Sequence, residues 1–154
     1  MKKVISLLIL IVPTLAFAQT YEYAAKYVCG KSGGEAPFNF AAGVYYTSIN
    51  VHADRETPFE KTITVSLPDE KPGRITKPIK SGLPNDSSLQ IDCANIYTHL
   101  KTENIPTPPG QPTEGFVIIR SKAELDVVGV YTAMGADSLV STMHMDRVPV
   151  KRLQ

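Results

Sequence analysis

The chain is 154 residues long, 43% hydrophobic and 20% charged, with 12 Pro, 2 Cys and no Trp. That length holds one domain, its apolar content excludes a disordered chain, and its prolines argue against a helical bundle. Sixteen basic against fifteen acidic residues leave no basic excess for phosphate contacts, which excludes an electrostatically driven nucleic-acid binder.

The N-terminus has the three parts of an export signal. Lys2 and Lys3 supply a positive start, residues 4–12 (VISLLILIV) an apolar run, and Ala16-Phe17-Ala18 a small-x-small cleavage motif after Pro13. Cleavage is expected between Ala18 and Gln19, which divides the chain into a signal peptide at 1–18 and a single domain at 19–154. The apolar run is too short to cross a bilayer core of about 30 Å, so no stable membrane anchor is expected. No Cys follows the cleavage motif, which argues against a lipid anchor. The expected location is periplasmic or secreted. Without residues 1–18, fourteen basic residues face fifteen acidic ones and the net charge becomes −1.

Export places Cys29 and Cys93 in an oxidising compartment, where an even count favours a disulfide. Their separation is far outside redox or zinc spacing, so the expected bridge is structural, with two buried free thiols as the alternative.

The rest of the chain reads as a succession of strands. Residues 23–29 (YAAKYVC) form the first, stopped by Gly30. Residues 43–52 (GVYYTSINVH) alternate with Tyr45, Thr47, Ile49 and Val51 on one face. Residues 59–67 (FEKTITVSL) place Phe59, Ile63 and Val65 on a buried side, and Glu60, Thr62, Thr64 and Ser66 on a wet one. Residues 74–80 suggest a short edge strand weakened by Pro78. Residues 88–93 (SLQIDC) form another strand, and 94–101 (ANIYTHLK) a helical turn that Asp92 can cap.

Residues 104–114 carry four prolines and a glycine and are expected to form an exposed, semi-extended loop. Residues 115–121 (GFVIIRS) and 124–133 (ELDVVGVYTA) follow as strands, the second apolar on both faces and so central. A last strand at 139–150 sets Met143 and Met145 against Thr142, His144 and Asp146. The expected fold is all-β: a single antiparallel β-sandwich of about seven or eight strands, Ig-like or jelly-roll-like, with at most one short helical turn.

His52 and His144 are the candidates for chemistry, each two residues before an acid, Asp54 and Asp146. A His-x-Asp pair on one strand face can orient an imidazole or share a metal. The chain has no H-E-x-x-H, no clustered Cys/His spacing and no G-x-S-x-G elbow, so no catalytic, metal or cofactor residues are assigned. Gly33-Gly34 fits no phosphate-cradling pattern, and the absence of Trp weakens a lectin reading of the seven tyrosines.

The segments YVCG, TSINVH, IDC, GFVIIRS and ELDVVGVYT together resemble a group of small, exported, uncharacterised bacterial proteins, over about Tyr23 to Arg152. More distantly, GFVIIRSKAELDVVGVYT is similar in layout to the late strands of sensory-rhodopsin-transducer-like β-sandwiches, domains that assemble as oligomers. The export signal and the two cysteines depart from those cytoplasmic transducers. The resemblance implies a shared sandwich and carries no activity across. The expected function is an exported, non-catalytic binding or assembly module that takes no cofactor. It would contact an unknown protein partner or self-associate. The alternative is a small hydrolase or metal-dependent enzyme using His52 or His144 with nearby acids.

Overall fold

The computed structural model describes residues 19–34, 40–135 and 140–153. The proposed signal peptide at 1–18, Ala18 included, lies outside them, as does Leu139 at the start of the expected last strand; Gln19 is the first residue described. Among the described residues nine antiparallel strands form: β1 (Thr20–Ser32), β2 (Gly43–Ala53), β3 (Thr57–Ser66), β4 (Ile79–Leu83), β5 (Ser87–Asp92), β6 (Thr113–Ser121), β7 (Asp126–Met134), β8 (Val140–Arg147) and β9 (Val150–Leu153). One helix, α1 (Cys93–Thr102), sits between β5 and β6.

The strands run in the order β4-β3-β6-β1-β2-β7-β8, with β5 added to β2 and β9 to β1. Strand β1 belongs to both halves. Its residues from Tyr21 to Cys29 pair with β6, Thr20 to Tyr23 also pair with β9, and Gly30 to Ser32 pair with β2. Gly30 stands at the changeover with φ 118°, a conformation that a residue with a Cβ rarely adopts. The two halves each turn one face into a single core. Tyr23, Tyr27, Ile63, Val65, Val117 and Ile119 come from the first half; Ile49, Val51, Ile91 and Val127 come from the second. The result is the expected all-β sandwich.

Alternation decides which residues enter that core. Thr47, Ile49, Val51 and Ala53 of β2 are buried, and Val127 and Gly129 of β7 face them in register. Strand β7 lies between β2 and β8, as its two apolar faces predict. Buried tyrosine hydroxyls find backbone partners, as polar groups out of water must. The Leu125 N–H donates to Tyr23 Oη at 2.7 Å, and Tyr27 Oη donates to the Thr64 carbonyl at 2.9 Å.

Four local expectations are corrected. The expected edge strand at 74–80 is displaced: residues 74–78, between Pro72-Gly73 and Pro78, make a single bridge to β3, Thr64 to Ile75, and the edge strand β4 begins at Ile79. The helical turn is a ten-residue helix, capped as expected by Asp92, whose carboxylate accepts from the Asn95 N–H while the Asn95 side chain accepts from the Asp92 N–H. Ile96 and Leu100 of α1 are fully buried, so core packing extends what propensity alone would leave marginal. The last strand divides at Pro149 into β8 and β9, which pair with β7 and β1 respectively. Thr62, expected on the wet face, is buried opposite Ile118.

Candidate functional site

Cys29 and Cys93 are bonded, as expected. Cys29 is the last β1 residue paired with β6, and Cys93 begins α1, directly after β5, so the bond ties the two halves together. Both cysteines are buried. The surroundings are structural: the Thr47 N–H points at Cys93 Sγ, and Tyr97 Oη of α1 donates to the Cys29 carbonyl at 2.7 Å.

The histidines do not assemble a site. His52 Nε2 lies 3.5 Å from Asp86 Oδ1, across the turn between β4 and β5. Its sequence neighbour Asp54 instead meets Arg55 at 3.2 Å, and that guanidinium lowers the Asp54 pKa. His144 stacks on Tyr131, ring centres 6.4 Å apart, and shares a strand face with Asp146 as expected. His52 stands opposite Asp126 of β7 and His144 opposite Tyr131 of the same strand. Five strand residues separate those two positions, on the order of 16 Å, which one substrate-sized centre does not bridge. His99 of α1 is pushed toward its neutral form by burial and then by the Lys61 ammonium, and burial likewise lowers the Lys61 pKa. Among the described residues, no three His, Cys, Asp or Glu side chains converge as a metal set would.

A cleft of about 690 Å³ lies on the first half between β3, β4 and β6, with Lys80, Arg120 and Lys122 on its walls. Two of those cations are engaged within the chain: Arg120 Nε meets Glu22 at 2.7 Å, and Lys122 Nζ donates to Thr20 at 2.7 Å. Arg120 also belongs to a row of alternating charge across the outer face, in which Lys80, Glu60, Arg120, Glu22 and Lys151 are successive register partners. Such cross-strand pairs stabilise a sheet.

The surface that lacks an internal explanation is the outer face of the second half. The β7 register puts Tyr131, Gly129 and Val127 on the core side, which sends Thr132, Val130 and Val128 outward, opposite Met143, Met145 and Arg147 of β8. Met143 and Met145 are 66% and 63% exposed, and Tyr46 beside them on β2 is 42% exposed. Tyr46 Oη is held by the Asp92 carboxylate at 3.0 Å. Val44, Val128 and Val130 are half-buried on the same face. Around Thr132 and Arg147 these side chains make the face largely apolar, with its two methionines the most exposed of them.

Strand β8 is also an edge. Among the described residues it pairs with β7 alone. The Val148 N–H donates to the Val127 carbonyl, which fixes the alternation: Asp146, His144 and Thr142 bond toward β7, whereas the N–H and C=O of Met143, Met145 and Arg147 point to the open side. An open backbone row beside flexible thioethers can accept another strand. The sequence pattern shows that Met143 and Met145 share a face; which face looks outward depends on pairing with β7, so no local signal marks them as a surface.

No family model matches the chain, and no curated protein matches it. A solved structure of similar outline is that of Thermotoga maritima 1070, with a TM-score of 0.48 and 11% identity over 88% of this chain and 96% of that one. At that distance the likeness carries no functional argument.

Proposed function

We propose that this chain is an exported, non-catalytic binding or assembly module that docks a protein partner along β8 and the outer face of the second half. The observation that carries this reading is the pair Met143 and Met145, strongly exposed on a strand whose backbone is open on one side. Export is supported by the charged, apolar and small-residue segments of 1–18 and fits the Cys29–Cys93 bond. The enzyme alternative uses His52 or His144 with nearby acids; the two histidines stand apart and form no joint centre, and no third metal-ligating group joins either among the described residues.

The test is a photo-crosslinking side chain placed at Tyr46, with the same group at Phe116, an exposed aromatic of β6 in the other half. Adducts, to this chain or to another protein, should form at position 46 severalfold more than at 116. Equal yields at the two positions would reject the docking surface. Export is tested separately by N-terminal sequencing of the protein from the envelope fraction, which should begin at Gln19.

A further inference from the structure

Whatever docks along β8 must bond the open backbone groups of Met143, Met145 and Arg147 and also match the side chains on both faces of the strand. We propose that the occupant is a second copy of this chain, paired antiparallel β8 to β8 about a two-fold axis at Met145. This rests on the docking surface proposed above.

The alternation of β8 limits the registers. Residues whose backbone points outward must face outward-pointing residues of the second copy, so odd numbers pair with odd and even with even. A two-fold axis at His144 sets two histidines opposite each other, and one at Asp146 sets two carboxylates opposite each other. An axis at Met143 sets His144 opposite Thr142. With the axis at Met145, His144 of each copy faces Asp146 of the other, twice. Within this set, that register alone is charge-complementary, and it follows from the His-x-Asp spacing being centred on Met145.

The geometry suits the pairing. In this register Met145 meets its own copy as a hydrogen-bonded pair. The two His144–Asp146 pairs are then non-hydrogen-bonded pairs, where side chains approach most closely. An imidazole N–H donating to a carboxylate is a strong bond, and the Tyr131 ring stacked on His144 holds the imidazole in place. On the outer face Met143 falls opposite Arg147 of the second copy. Arg147 is tethered to Asp126 at 2.8 Å, so its aliphatic stem lies flat for the methionine to cover. The contact is self-complementary and closes on itself at this edge, since it pairs the β8 edge of each copy with that of the other.

Sedimentation velocity of the chain from Gln19, over a roughly thousandfold concentration range, should show a reversible monomer–dimer equilibrium. Asp146→Lys puts an ammonium opposite His144 and should weaken the dimer by about tenfold or more. The swap His144→Asp with Asp146→His restores opposite partners and should return the affinity to within about threefold of the starting chain. Met145→Cys should form a covalent dimer on mild oxidation, because hydrogen-bonded pairs place their Cα atoms about 5.5 Å apart, within disulfide reach. Met143→Cys should not, since in this register the two copies of position 143 stand about 13 Å apart along the strands.

A monomer at every concentration, a dimer indifferent to Asp146→Lys, or equal cross-linking at 143 and 145 would each overturn the proposal. If the chain stays monomeric while position 46 still forms adducts with another protein, self-pairing alone fails. If the adducts are also missing, the docking surface fails with it.

Discussion

Reducing the Cys29–Cys93 bond removes a cross-link without removing a side chain: it adds two hydrogens, and the two buried sulfurs need only part to van der Waals contact. The bond spans a sequence separation of 64, and a closure of that length removes denatured-chain entropy worth about 4 kcal/mol. The folded state has its own means of keeping α1 seated: Ile96 and Leu100 are 0% and 1% exposed, and Tyr97 still donates to the Cys29 carbonyl. The loss should therefore appear in the unfolded state and leave the fold itself recognisable. With a urea m-value of about 2 kcal/mol per molar for a domain of this size, the midpoint should fall by about 2 M. The slope should also rise, since the released chain exposes more surface. The seven tyrosines serve as fluorescence reporters free of any Trp background, with far-ultraviolet circular dichroism as the second probe. A midpoint shift below about 0.5 M would refute the reasoning, because the bond would then constrain neither state appreciably.

Four further outcomes rest on named contacts. Tyr23→Phe removes the acceptor of the buried Leu125 N–H and should cost about 1–3 kcal/mol in urea unfolding, more than Tyr45→Phe, whose hydroxyl bonds the Ala41 carbonyl at an exposed site. Burial raises the pKa of Tyr23 and Tyr27 above their ordinary 10.0, so the unfolded chain releases these protons first. Stability should hold below pH 10 and decline as pH rises beyond it, with a shallower decline in Tyr27→Phe. Asp92→Ala removes the α1 cap and the partner of Tyr46 and should cost about 1–2 kcal/mol. The Asn95 N–H lowers the Asp92 pKa below its ordinary 3.8, so this contribution should be present above that pH and vanish as acid titrates through the lowered value. Gly115→Ala would drive a Cβ into the Thr64 carbonyl oxygen of β3, so the variant should fail to fold or lose more than about 3 kcal/mol by thermal denaturation.

The sandwich is legible wherever one face of a strand is wholly buried, because burial writes a period of two into the sequence. Thr47, Ile49 and Val51, or Phe59, Ile63 and Val65, announce both the strand and its inner side. The Asp92 cap and the disulfide are legible for similar reasons: each is a local rule or a compartment rule that needs no knowledge of the fold. What stays hidden is decided at long range. That β1 runs on to Ser32 and changes partner at Gly30 depends on where β2 and β6 lie, and a single glycine in sequence says only that a stop or bend is allowed. The segment around Thr76 looks like a strand because its side chain is indeed buried. It is buried as a hydrogen-bonding appendage of Ile63, its hydroxyl accepting the Ile63 N–H and its own N–H donating to the Ile63 carbonyl.

Strand β8 shows why the candidate site is the least legible part. Its alternation is as regular as that of β2, with methionines on one side and Thr142, His144 and Asp146 on the other. A rule that sends apolar residues inward would bury the methionines. Register reverses this: His144 and Asp146 stand beside Tyr131 and Gly129 on the core side, and Val148, of the same parity, is buried. The polar pair tolerates that side because β8 lies at the rim, beyond the core, where both residues remain exposed. An edge strand with its apolar side turned to solvent and its polar side turned to the rim gains nothing from its own fold by that orientation. Its amphipathicity becomes favourable only when something covers the methionines and pairs the open backbone, and this inverted polarity of β8 is the reason the docking surface is proposed at this edge.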